Sequence, residues 1–205
     1  MPPISIVGIS AKDFEQMKNR LAGRGDRSPR VLRAPEAKAH EIILGIDPSL
    51  RGTGYGIIRR GIPGPELLAE GTISAHSRWE RSRCLLLIAQ TLRDVLRRNA
   101  PTVCVVEGLF YAQNFQTALI MGEARGASLV AAAEAGLEIY EIAPRKVKQA
   151  IVGYGAAQKS AVARMVQRLL NLSAPPAADA ADALALALAY AQEVGRHSLT
   201  VPKRI

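Results

Sequence analysis

Apolar residues along this chain change period several times, and each change marks an element. Ile42, Ile43, Leu44 and Ile46 form a short continuous run, the pattern of a buried strand, and the run ends at Asp47. Tyr55 to Arg59 and Leu67 to Ser74 read as two more strands, and the Gly61, Pro63, Gly64, Pro65 turn between them predicts an antiparallel meander. The period then becomes helical. Cys84, Leu85, Ile88, Leu92, Val95 and Leu96 share one stripe, with Arg81, Arg93, Asp94, Arg97 and Arg98 mostly off it, so an amphipathic helix is expected from about Glu80 to Asn99, stopped by Pro101. Thr102 to Val106 is a β-branched strand that runs into Glu107, the second strand to terminate in a carboxylate. A helix from about Gln116 to Ala135, a strand near Ile139 to Ile142 and helices around Arg145 to Ile151, Lys159 to Leu170 and Asp179 to Val194 complete the pattern. Three antiparallel strands followed by alternating helix and strand predict an α/β mixed sheet with helices on both faces.

The first 40 residues break this regularity. Eight basic residues (Lys12, Lys18, Arg20, Arg24, Arg27, Arg30, Arg33, Lys38) face four acids (Asp13, Glu15, Asp26, Glu36), and the stretch turns rich in Gly, Arg and Pro. Ser10 and Asp13 have capping-box spacing and Phe14, Met17 and Leu21 share a helical face, so a short helix fits there. The segment reads as a poorly ordered basic extension; an extra contact to DNA or a partner is the alternative. Residues 41–195 form the expected domain and 196–205 a short tail.

Composition narrows the chemistry. A net charge of +9 and 48% hydrophobic residues in 205 describe one sizeable core with a surface suited to a polyanion, nucleic acid first. Cys84 and Cys104 are too few for a disulfide framework and read as buried thiols. His40, His76 and His197 are widely separated and no CxxC or HxxxH spacing occurs, which argues against zinc and haem and leaves oxygen ligands for any metal. Apolar runs too short to cross a bilayer, and an N-terminus interrupted by Gly8, Lys12 and Asp13, predict a cytoplasmic protein with no membrane partner.

Four acids stand out. Asp47 and Glu107 sit where buried strands give out, the place where open α/β sheets bind ligands. Asp179 and Asp182, spaced i, i+3 after Pro175 and Pro176, fall on one face near the N-terminus of a helix, where capping alone would also explain them. Gathering all four would be costly, since two unit charges about 4 Å apart repel by roughly 4 kcal/mol at an effective dielectric near 20. Such a cluster suits Mg²⁺ or Mn²⁺, two of which can clamp an in-line phosphoryl displacement.

Five motifs carry a resemblance: Gly45-Ile46-Asp47-Pro48, Thr53-Gly54-Tyr55-Gly56, Val106-Glu107 with Phe110, Arg145-Lys146-Val147-Lys148-Gln149, and Ala178-Asp179-Ala180-Ala181-Asp182-Ala183-Leu184. In this order, over about residues 41 to 192, the chain closely resembles RuvC, the family of bacterial Holliday-junction resolvases. The resemblance implies an RNase H-like fold, a homodimer, two Mg²⁺ per active site, a four-way DNA junction as substrate, and paired symmetric nicks with 5′-phosphate ends. It also implies RuvA and RuvB as partners in recombination and repair. Carried over by position, Asp47, Glu107, Asp179 and Asp182 are the catalytic and metal-binding set. Lys148 and Lys159 are basic residues beside the scissile phosphate, and Phe110, with Tyr111, is an aromatic wedge at the junction. Arg145, in the same motif as Lys148, is a further expected DNA contact.

Two features depart from the family pattern: Ser49 stands where Gly usually follows Asp-Pro, and the 40-residue extension has no counterpart. The small residues Gly122, Ala124, Gly126 and Ala127 permit close helix approach, and the resemblance puts the dimer contact in this region; packing within one subunit is the alternative. Competing functions are a silent junction-binding module, an actin-like phosphotransferase, which would have no use for Asp179 and Asp182, and another RNase H-like nuclease.

Overall fold

The computed structural model describes residues 40–108, 115–195 and 202–205, together with Lys12 and Glu15, which are helical. By its internal contacts the chain divides into two units, Met1–Ala39 and His40–Ile205. The rest of the basic extension, including Phe14, Met17 and Leu21, lies outside the described residues, as do Phe110 and Tyr111 and most of the C-terminal tail.

Six strands form one sheet in the order β3-β2-β1-β4-β5-β6: β1 Ile42–Asp47, β2 Gly52–Arg59, β3 Glu66–Ser74, β4 Val103–Glu107, β5 Glu138–Ile142 and β6 Lys203–Arg204. The meander is antiparallel, with Asp47 opposite Gly54 and Gly52 opposite Ser74. β4 lies parallel to β1 and β5 parallel to β4. The right-hand half of the sheet therefore needs crossover connections, and helices supply them. Five helices are described: α1 Arg81–Asn99, α2 Phe115–Glu134, α3 Pro144–Val152, α4 Lys159–Leu169 and α5 Ala178–Gly195.

Strand alternation splits the core into two layers. Ile43, Val103 and Val105 point to the face covered by α3, α4 and α5. Leu44, Ile46, Cys104 and Val106 point to the face covered by α1 and α2. With both faces buried, the central strands read as continuous apolar runs. α5 is buried almost all round from Ala180 to Tyr190, because it lies between the sheet and the outer helices α3 and α4, and its alanines let all three layers close. α1 stops as expected: Ala100 adopts the left-handed conformation and its amide donates to the Leu96 carbonyl at 2.9 Å, just before Pro101.

Two strand boundaries differ from the sequence reading. β2 begins at Gly52 rather than Tyr55, since Gly52 and Gly54 pair as strand although their composition reads as turn. Lys203–Arg204, assigned to the tail, returns to pair with β5 through Tyr140 and Glu141, and the Arg204 guanidinium lies 3.2 Å from Glu138. Cys84 and Cys104 are buried and unpaired. Among the described residues no helix is long and apolar enough to cross a membrane.

Candidate active site

Adjacent parallel strands bring the first two acids together. Ile46 pairs with Val106, so β1 and β4 end side by side and release Asp47 and Glu107 at the same edge of the sheet. A third element arrives over them because β1 and β2 present glycine to it. A side-chain carbon at Gly45 would strike the Ala183 carbonyl, and one at Gly54 would strike the Asp179 carbonyl. At Gly56 it would come within 2.6 Å of Leu184, and at Gly52 within 2.9 Å of Asp179 Oδ2. α5 thus rests directly on strand backbone, with Asp179 in its first turn and Asp182 one turn on, both half-buried.

The connection after Asp47 is locked by a buried threonine. Thr53 Oγ1 donates to the Ser49 carbonyl at 2.5 Å and accepts from the Ser49 amide at 3.2 Å. Ser49 is not among the positive-φ residues, which in the described chain are Ala100 and Asn171 outside glycine. The turn therefore takes a backbone conformation open to any residue, and serine fits where the family pattern has glycine.

Electrostatics confirms the crowding. Burial, then the charge of Asp182, with a smaller push from Asp179, raises the Asp47 carboxyl from 3.8 to about 6, against a lowering by Lys159. Burial, followed by Asp47 and Asp182, raises Glu107 from 4.5 to about 7, opposed by Lys159 and Lys148. The Lys159 ammonium donates to Asp182 Oδ2 at 2.5 Å, and this bond is the main cause of the upward shift of the Lys159 pKa. Of the expected basic residues, then, Lys159 and Lys148 stand within the field of the acids. Arg145 does not: it is exposed, its stem lies against Gly155, and it pairs with no acid among the described residues.

Among the described residues no three Asp, Glu, His or Cys side chains are drawn around one point as a closed metal cage. The donor set is nonetheless of the kind a hard cation takes. Asp47, Glu107, Asp179 and Asp182 offer only carboxylate oxygen, and the two raised pKa values report negative charge that a divalent ion would relieve. Lys159 supplies part of that relief in their company.

One supporting group escaped the sequence reading. Arg125, on the inner face of α2 and only 7% exposed, donates to the Glu107 carbonyl and to Glu141 Oε2, the latter at 2.5 Å. The Gly108 amide donates to the Ile142 carbonyl at 2.9 Å. Together they pin the end of β4, and hence the Glu107 backbone, from behind. A buried arginine needs such a partner, but Glu141 lies 16 residues away and on another element, so spacing could not reveal it.

The outer face of α2 is unlike every other helix face described. Phe115, Leu119 and Val130 are 83%, 50% and 51% exposed, and Gly122 and Gly126, which continue the same stripe, have nothing within 4 Å of where a side chain would stand.

Comparison with known proteins gives a consistent picture. The profile of the family described as crossover junction endodeoxyribonuclease RuvC matches residues 43–190. A protein of that name from Pseudomonas putida is 43% identical over 166 residues, covering 80% of this chain and 95% of the relative. One from Akkermansia muciniphila is 45% identical over 148 residues, 72% of this chain and 89% of the relative. The solved structure of Thermus thermophilus RuvC in complex with a Holliday junction substrate superposes with a TM-score of 0.73 at 34% identity, covering 81% of this chain and 100% of that one.

Proposed function

Because the chain belongs to the RuvC family of crossover junction endodeoxyribonucleases, whose RNase H-like resolvase fold it shares, we propose that it resolves four-way DNA junctions by metal-dependent hydrolysis at Asp47, Glu107, Asp179 and Asp182. The observation that carries this reading is the mutual field of Asp47, Glu107 and Asp182 at the ends of β1, β4 and α5. A protein gathers carboxylates against their repulsion where a cation compensates them.

Asp47, Glu107, Asp179 and Asp182 would hold the ions. Bound there, two Mg²⁺, or Mn²⁺ in their place, would supply the charge that activates a water and steadies the leaving oxygen of an in-line displacement at phosphorus, leaving a 5′-phosphate. Asp47 and Glu107 spring from the paired ends of β1 and β4, which fixes the backbone from which their side chains start. The Lys159 ammonium, which donates to Asp182, would with a cation bound there be available to a non-bridging oxygen of the scissile phosphate, and Lys148 would hold the neighbouring backbone. Phe110 and Tyr111, three and four residues after Glu107, serve as the wedge at the unstacked branch point; Arg145 is an outer phosphate contact.

The open stripe on α2 supports a homodimer. A second copy covering Phe115, Leu119, Gly122, Gly126 and Val130 would bury apolar surface that a monomer leaves in water. Two-fold symmetry would then present two sites to a junction of matching symmetry, which accounts for paired symmetric nicks in recombination and repair. RuvA and RuvB are the expected branch-migration partners, acting with it in the cytoplasm.

The purified protein is expected to nick a synthetic four-way junction at two symmetric positions with Mg²⁺ and not with EDTA. Asp47→Asn should cut at least ~10²-fold more slowly while retaining junction binding, since it removes an ion ligand and no basic surface. Full activity in Asp47→Asn, or an uncut junction with the unsubstituted protein, would reject the mechanism; binding without cutting would point to a silent junction-binding module.

A further inference from the structure

The connection between β3 and α1 leaves the sheet at the same edge as the acids. β3 ends at Ser74, whose partner Gly52 lies against Asp179 Oδ2. From there the chain passes through Arg78, Trp79, Arg81 and Arg83, with Arg51 beneath, so four arginines share one short region. Like charges this close repel, and their grouping asks for a reason.

Their arrangement is ordered. Arg51 donates to the His76 carbonyl at 2.5 Å and to the Trp79 carbonyl at 3.0 Å, and its own carbonyl accepts from the Ala75 amide at 3.2 Å. The Arg78 amide donates to His76 Nδ1 at 3.1 Å, closing the turn. Arg81 is neutralised by Glu123 at 3.0 Å. Arg78 and Arg83 are exposed and have no carboxylate partner among the described residues. The Arg83 guanidinium instead lies 3.9 Å over the Trp79 ring, which holds its plane while leaving donors to solvent. One arginine is thus spent on fixing the loop, one is paired, and two remain as free, partly pre-ordered donors.

We propose that Arg78 and Arg83, the latter stacked on Trp79, form a second DNA-backbone contact that grips phosphates of the duplex on the β3 side of the carboxylates. The inference rests on reading the acid cluster as a DNA-cutting site. β3 lies two strand spacings from β1, about 10 Å, which is about three base-pair steps along the axis of a duplex. Lys148 and Lys159 flank the acids from the α3 and α4 side, Lys159 already paired with Asp182, so a duplex crossing the acids meets cations on either hand. Phosphate is the ligand that fits: the free donors are guanidinium groups, and the neighbouring site acts on a phosphodiester.

The test is the salt dependence of binding, measured with full-length Asp47→Asn protein and a fluorescent four-way junction over roughly 50 to 200 mM salt. Arg78→Ala and Arg83→Ala should each reduce the slope of log affinity against log salt by about 0.9, and together weaken binding about tenfold at physiological salt. Arg98→Ala, the same charge change at the far end of α1, should match the unsubstituted slope. An unchanged slope and affinity in the double variant would overturn the proposal and leave the patch to some other acidic partner. Failure of the parent protein to prefer a junction over plain duplex would instead sink the resolvase reading, since the slope can be read on either DNA.

Discussion

Glycine does opposite work in two parts of this molecule. Under α5, Gly45, Gly52, Gly54 and Gly56 are filled sites, where any side chain would strike the helix that carries Asp179 and Asp182. On α2, Gly122 and Gly126 are open sites, with nothing near enough to touch. In the first seam the missing side chains let a helix descend onto two strands and deliver carboxylates to the end of a third element. In the second they flatten a surface that this subunit leaves unused. Small residues in a helix or strand therefore announce close approach without saying whose, and only the packing distinguishes a partner within the chain from one outside it.

The filled seam should break first. Gly54→Ala must push α5 off β2 by the width of a methyl group, an overpacking that costs on the order of 1–3 kcal/mol in urea or thermal unfolding. Cleavage should fall with it, because a 1 Å displacement of the acids costs about 10²-fold. An unchanged unfolding midpoint would show that the seam is looser than described.

Charge sharpens the same contrast. Since Asp47 and Glu107 have raised pKa values when folded, the native chain holds their protons more tightly than the unfolded chain does, and ionising them costs stability. That cost is absent below about pH 4, grows as pH rises through about 6 to 7, and is full above. Asp47→Asn should therefore stabilise the metal-free protein at pH 8 by on the order of 1–2 kcal/mol after solvent screening, with the gain vanishing towards pH 4. The variant that loses activity should be the harder one to melt. A destabilised Asp47→Asn at pH 8 would contradict the crowding.

The open stripe should break most gently. Gly126→Arg ought to leave the subunit fold intact or raise its stability by up to about 1 kcal/mol, because arginine is favoured over glycine within a helix. Sedimentation equilibrium should nevertheless shift from dimer towards monomer. A variant that stays fully dimeric would place the interface elsewhere.

Much of this was legible in the sequence for a physical reason. Elements that bury one stripe or both faces write that burial into the spacing of their apolar residues, so β1, β4 and α1 were visible with boundaries within about one residue. Asp47 and Glu107 were visible because each sits where such a pattern stops, and Asp179 and Asp182 because of their i, i+3 spacing at the start of a helix. What stayed hidden depends on backbone or on distant partners. The start of β2 is built from glycines that carry no pattern, and β6 pairs through main-chain groups of two polar residues. The buried Arg125 is explained only by Glu141 and by the Glu107 carbonyl. The glycine seam itself was quoted in the motifs, yet its meaning appears only when α5 is seen lying on it.

Direct ion binding reads the central claim most plainly. Mn²⁺ would be titrated into wild-type, Asp47→Asn and Glu107→Gln proteins, with free Mn²⁺ followed by electron paramagnetic resonance. Wild type should bind saturably at pH 8 and more weakly at pH 6, as protons compete for Asp47 and Glu107, and should melt at a higher temperature when loaded. Each substitution should weaken binding by at least ~10-fold. Equal binding by all three proteins, or none by any, would contradict a carboxylate site built for divalent cations.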